Sequence, residues 1–221
     1  MVMEAQFSVW VNAEWAAGRL TRPSTALTSL QTSPKQFLSK YPIQGIFDPP
    51  ASGLTNAVIM NNAAGQRPGS VLRTHRMHTT ETFKIQSGYG VSGEGLMFPV
   101  HGLFTTAASA PKQWYTLDGT GPAVLLTAKL TGCTFIARAG AVAGTVDGAH
   151  VQPDAVVDGA TLCTNETAVA GQHCYGRNSY SIDTRSINVI GIRSAAGVWK
   201  IYAQKIEKHA LTIRSVTKVY P

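Results

Sequence analysis

Three successive segments near the C-terminus, INVIGIRS, GVWKIYAQKI and ALTIRSVTKVY, alternate apolar with polar residues. Successive side chains of an extended chain point to opposite sides, so this alternation reads as three strands, each with one apolar face. A turn at Ala-Ala-Gly197 divides the first two. A sheet with an apolar face must bury it against a second layer, and this demand constrains the fold more than any other feature.

The same signal recurs upstream. ETFKIQS, GLMFPVHGLFTTA, AVLLTAKL, CTFIARAG and GAVAGTVDGAH all read as strands, separated by glycine-rich turns. From Pro49 to about Gly69 the chain is rich in Pro, Asn, Ala and Gly, which predicts a long loop with a short strand at AVIM. A polar loop is expected from Pro153 to about Tyr180. Helical signals are few. FSVWVNAEWAAGRL places Phe7, Trp10, Val11 and Trp15 near one helical face. SPKQFLSKYP offers Ser33 as N-cap, Pro34 at the first helical position and Pro42 as a stop. The expected architecture is therefore α+β, a single domain over 1–221 with a mixed β-sandwich core and a few peripheral helices. Residues 1–50 are expected to form its helical and loop part, and 115–221 its β-rich core.

Composition agrees with a globular domain. Hydrophobic residues are 44% and charged residues 14% of the 221, which excludes a disordered chain. The 19 basic and 12 acidic residues give a formal charge of +7. However, the basic residues do not interleave with aromatics, so nucleic-acid binding is not expected. No apolar run approaches the ~18 residues of a membrane span. The N-terminus MVMEAQFSVWVNAEW lacks the basic and apolar regions of a Sec signal peptide.

Several motifs fail on context. Gly88, Gly90 and Gly93 form a GxGxxG, but Pro99 follows too soon for the helix that a dinucleotide site requires. His75, His78 and His101 lack the pattern of a metal site, and no metal or organic cofactor is expected. Asn165 opens a glycosylation sequon that has meaning only in a eukaryotic secretory protein. Cys163 and Cys174 either pair across a polar loop or stay free, and Cys133 is the odd thiol in the first case.

Cys133 lies in TAKLTGCTFIAR, after Gly132 and at the start of a strand-like run. A thiolate is a strong nucleophile, and an imidazole that takes the thiol proton can later return it to a leaving amine. His150 closes the next apolar segment, so a tight turn in GAVAGTVDG brings it beside Cys133 in an antiparallel pair. The pair should then meet at about 3–4 Å. Gly132 lets the backbone approach substrate and leaves amide N–H groups for an oxyanion, with Thr134 as a neighbouring substrate or oxyanion residue. A buried core cysteine with an incidental histidine is the structural alternative.

LTGCTFIAR…GAH resembles the L-S-G-C-T…A-R…V-H segment of the cytotoxic necrotizing factor catalytic domain. Thr127-x-x-Leu130-Thr131-Gly132-Cys133 is similar to the T-x-x-L-S-G-C of Burkholderia lethal factor, and the chemotaxis receptor deamidases carry a related Thr…Cys…His set. YGRN at Tyr175 to Asn178 also resembles a Y-G-R-[DN] segment of Burkholderia lethal factor. Thr131 stands where these families have Ser.

The resemblance implies a glutamine deamidase, a hydrolase with Cys133 as nucleophile, His150 as base and then acid, and Thr127 orienting the imidazole. It further implies a monomeric bacterial toxin or effector, secreted and acting in the host cytoplasm. The partner would be a host protein substrate such as a small GTPase or a translation factor, with no nucleic acid or membrane. A transglutaminase, a papain-like cysteine protease or amidase, and a non-enzymatic basic β-sandwich binding module remain as alternatives.

Overall fold

The computed structural model describes residues 21–46, 51–62, 82–87, 95–180, 185–207 and 212–221. The expected helix at 7–20, the GxGxxG glycines and the His75–His78 pair lie outside these residues. The fold is α+β, a single domain built on two sheets. Its strands are β1 (Ile43–Ile46), β2 (Gly53–Asn62), β3 (Thr82–Ser87), β4 (Leu96–Leu103), β5 (Thr105–Ala107), β6 (Tyr115–Leu117) and β7 (Val124–Thr127). They continue with β8 (Thr134–Ala139), β9 (Val146–Gln152), β10 (Gln172–Tyr175), β11 (Arg185–Arg193), β12 (Trp199–Glu207) and β13 (Ile213–Tyr220).

The larger sheet has the order β1-β3-β2-β4-β7-β11-β12-β13, and the smaller β10-β8-β9-β5, with β6 also paired to β9. The three C-terminal strands form where the sequence predicts them, but β11 is buried on both faces and does not carry a single apolar face. Along β11, Ile187 and Val189 face one layer while Ile190 and Ile192 face the other, and Gly197 turns into β12 at φ +79°. The β-rich core is not confined to 115–221, because β1–β5 come from 43–107 and complete both sheets.

Helices α1 (Pro23–Thr32) and α2 (Pro34–Lys40) cover the outer face of the larger sheet. Ala26, Leu30, Phe37 and Leu38 pack there against Ile59, Phe83, Val100 and Ile190. Ser33 and Pro34 occupy the start of α2 as expected, although the Ser33 side chain makes no capping bond. Gln204 and Asn188, buried on that face, tie the α2–β1 connection to the sheet. Gln204 Nε2 donates to the Leu38 and Tyr41 carbonyls at 2.7 Å each, and its Oε1 accepts from Ile43 N–H.

The inner layer lies between the sheets, where Leu125, Leu130, Ile187, Trp199 and Ile201 meet Leu103, Phe135 and Ala137. The outer face of the smaller sheet is covered by α3 (Gly159–Thr167), which buries Leu162 against Ile136, Ala149 and Val151. This helix replaces part of the loop expected from Pro153 to Tyr180. Asp158 starts it by accepting from Ala160 and Thr161 N–H at 2.9 and 3.0 Å, the arrangement of a strong N-cap. Helix α1 was also not expected from the sequence. Among the described residues, no helix is long and apolar enough to cross a membrane.

Candidate functional site

The chain crosses from the larger sheet to the smaller one twice in the same region. Leu103 and Thr127 are register partners at the ends of parallel β4 and β7. After Leu103 the chain passes Phe104 and enters β5 at Thr105. After Thr127 it forms a single bridge from Leu130 to Ile187 and enters β8 just past Cys133. Such crossings make corners between packed sheets.

Strand alternation decides where the side chains go. Cys133, Phe135 and Ala137 point into the inner layer. His150 is the register partner of Phe135 across β8–β9, so it shares that face, as Thr127 does by following Leu125 along β7. Thr134 pairs with Val151, which places Cys133 diagonally from His150, a relation that spans about 7–8 Å between strand positions. Cys133, His150 and Thr127 therefore reach one layer, and all three are buried.

The expected thiol–imidazole hydrogen bond is not formed. His150 is 1% exposed, its Nε2 has no hydrogen-bond partner, and its Nδ1 lies 3.1 Å from Thr105 Oγ1. The Thr127 hydroxyl, expected to orient the imidazole, instead donates to the Ala128 carbonyl at 2.7 Å. That short-range bond satisfies the hydroxyl within its own chain segment and leaves His150 to a threonine from β5. Thr105 was missed because nothing local to Thr105 in the sequence marks it. Only the parallel pairing Thr105↔His150 reveals it.

Gly132 is needed for its backbone. Its φ of +131° disfavours any residue with a side chain, whereas an added Cβ would meet nothing closer than Pro153 Cγ at 3.8 Å. Its N–H is not free for an oxyanion, because it donates to the Tyr180 hydroxyl at 3.0 Å. That hydroxyl donates in turn to the Cys133 carbonyl at 2.9 Å. Tyr180 stacks on Tyr175, the first residue of YGRN, at 6.4 Å between ring centroids. This stretch therefore braces the loop that carries the thiol.

The expectation for Thr134 is also corrected. Its side chain leaves the sheet on the face opposite Cys133, under α3, and its buried hydroxyl has no hydrogen-bond partner. A Cβ on Gly176 would fall 2.3 Å from that hydroxyl and 2.9 Å from Cys163 Sγ, so the glycine makes room for both. Cys163 and Cys174 are free thiols, as is Cys133.

Burial sets the charge state of the site. It raises the Cys133 thiol above its ordinary pKa, against the opposite and smaller pull of the adjacent Thr131 and Cys133 backbone. Burial also lowers the His150 imidazole to about 4. Both groups are neutral at pH 7, so the histidine holds a free lone pair and the cysteine holds its proton. A neutral thiol beside a neutral imidazole could pass its proton only in the course of an attack, with no standing thiolate–imidazolium pair. His101, the other histidine of the inner layer, has Nδ1 on Tyr115 Oη at 2.9 Å and Nε2 on the Pro122 carbonyl at 3.0 Å. Among the described residues, no cluster of His, Cys, Asp or Glu is placed to hold a metal ion.

No family model matches this chain, and no curated protein matches it.

Proposed function

We propose that this chain is a protein-glutamine deamidase of the bacterial toxin type. The observation that carries the reading is the shared placement of Cys133 and His150. They occupy one buried face at a sheet corner, with His150 Nε2 unpartnered and the thiol one residue ahead of the strand. The resemblance of LTGC and its upstream Thr127 to the deamidase segments points to the same two residues.

In this reading, Cys133 Sγ attacks the carbonyl carbon of a glutamine carboxamide and forms a C–S bond. The thiol proton passes to His150 Nε2 and then to the departing nitrogen, which leaves as ammonia. A water molecule, deprotonated by the same nitrogen, hydrolyses the thioester to a glutamate carboxylate and restores the thiol. The Thr131 and Cys133 backbone groups favour negative charge on the sulfur, which differs from the oxyanion role expected of Gly132. The thiol–imidazole contact would tighten as substrate binds.

Burial favours a side-chain amide over a peptide bond. Cys133 is 6% exposed, so an extended backbone has no room to lie across it, and only a long, narrow group such as a carboxamide would reach the thiol end-on. The same burial, together with the absent thiol–imidazole bond, favours a second reading in which the two are core residues of a binding module.

The test is incubation of the protein with a eukaryotic cell extract in oxygen-18 water, followed by peptide mass spectrometry. Deamidation predicts glutamates carrying heavy oxygen at former glutamines. A protease gives new chain ends, a transglutaminase gives incorporation of an added primary amine, and a binding module gives none of these.

A further inference from the structure

We propose that Thr105 is the residue that fixes the tautomer of His150, accepting a hydrogen bond from Nδ1–H so that the lone pair stays on Nε2. This rests on the deamidase reading for its purpose, but its physical content stands on the geometry of two side chains.

Three observations carry it. Thr105 Oγ1 lies 3.1 Å from His150 Nδ1, within hydrogen-bond range. The two residues are register partners in the parallel β5–β9 pair, so the backbone itself sets the contact. The neighbouring Thr106 adds a side-chain bond from its Oγ1 to the His150 carbonyl at 3.4 Å, which ties the same two strands at the next position.

A neutral imidazole has one N–H and one lone pair, and the partner of one nitrogen decides what the other carries. With Thr105 accepting at Nδ1, the proton is held there and Nε2 faces the inner layer as a base. Without that acceptor nothing holds the proton at Nδ1, and a histidine in water favours Nε2–H. A protonated Nε2 has no lone pair with which to take the thiol proton. The hydroxyl thus acts through His150, and it does so from the first chain crossing while the thiol arrives on the second.

The test reads the histidine directly, by nitrogen-15 NMR of ring-labelled protein at pH 7, with no substrate present. The expected result is the Nδ1–H form of His150 in the parent and in Thr105→Ser, and a mixture containing Nε2–H in Thr105→Val. A parent protein already in the Nε2–H form overturns the proposal, whether or not any variant folds. So does a folded Thr105→Val whose His150 keeps the parent's tautomer.

Glutamine conversion by the same variants then separates this inference from the reading beneath it. Thr105→Val is expected to lose at least about tenfold, part of the roughly 10²–10⁴-fold that a positioned general base supplies, with Ser restoring it. An altered tautomer in a chain that converts no glutamine even as the parent would sustain the Thr105 assignment and sink the deamidase.

Discussion

Tyr180 holds Cys133 through the backbone, donating its hydroxyl proton to the Cys133 carbonyl at 2.9 Å while accepting from Gly132 N–H at 3.0 Å. One phenolic oxygen thereby satisfies a buried donor and a buried acceptor on adjacent residues. Tyr180→Phe keeps the ring and strands both groups, a loss of about 1–3 kcal/mol. Urea denaturation of parent and variant measures it. Equal stability would mean that the loop finds other partners and that Tyr180 is not its brace.

Gly132 yields a prediction of a different kind. Its positive φ, in open space, makes the cost of Gly132→Ala one of backbone conformation, about 1–3 kcal/mol for a residue held in a sparsely populated region. Because the strain lies next to the thiol, glutamine conversion should fall by more than stability alone accounts for. A variant with parental melting temperature and parental conversion would show that the loop needs no glycine.

How much of this was legible in the sequence depends on where the information lies. The C-terminal strands announce themselves by their apolar patterning, but the apolar–polar alternation in β11 breaks between Val189 and Ile190, so that Ile187 and Val189 face inward while Ile190 and Ile192 face outward. Helix α3 does not, because only Leu162 and Cys163 of GATLCTNET are buried and no apolar stripe forms. Its one signal was Asp158, a good N-cap in front of a weak pattern. Helix α1 hid in a similar way, with Pro23 at its first position and only Pro23, Ala26 and Leu30 buried among Ser and Thr. Cys133 and His150 were visible by chemical type and by the turn between them. Thr105 was not, since β5 and β9 are brought together only by the crossing after Leu103. Thr127 was overrated for the same reason, because its spacing from Cys133 says nothing about where its hydroxyl points.

The lowered imidazole makes stability depend on pH. His150 titrates at about 4 in the fold, against 6.5 for an unperturbed histidine. As pH falls from about 6.5 toward 4, the unfolded chain takes up a proton that the folded chain refuses, so this contribution is complete above that window and lost within it. The gap is worth on the order of 3 kcal/mol. His101, also lowered by burial, adds a loss in the same direction. Unfolding free energies of parent and His150→Gln, measured by urea at pH 7 and pH 4.5, isolate the His150 share. The parent should lose more on acidification than the variant does. Equal losses would contradict a neutral, buried imidazole.

Thr134 is the opposite case of a hydroxyl that gains nothing from its place. It is fully buried and unpartnered, so Thr134→Val replaces a stranded polar group by a methyl of the same shape. The variant should match or exceed the parent in thermal stability, because removing an unsatisfied group removes its desolvation cost. A loss beyond about 1 kcal/mol would reveal a partner for the hydroxyl.

The central claim is that the Cys133 thiol is the nucleophile, and the most direct measurement compares parent, Cys133→Ser and His150→Ala in a eukaryotic cell extract. Mass spectrometry counts the glutamines converted to glutamate by their amide-to-acid mass increase, with circular dichroism confirming that each variant is folded. Groups acting as one catalytic unit fail together, so both substitutions should lower conversion by orders of magnitude from a clear parental signal. A folded Cys133→Ser that converts the same glutamines at the parental rate would contradict the account and leave the thiol a core residue.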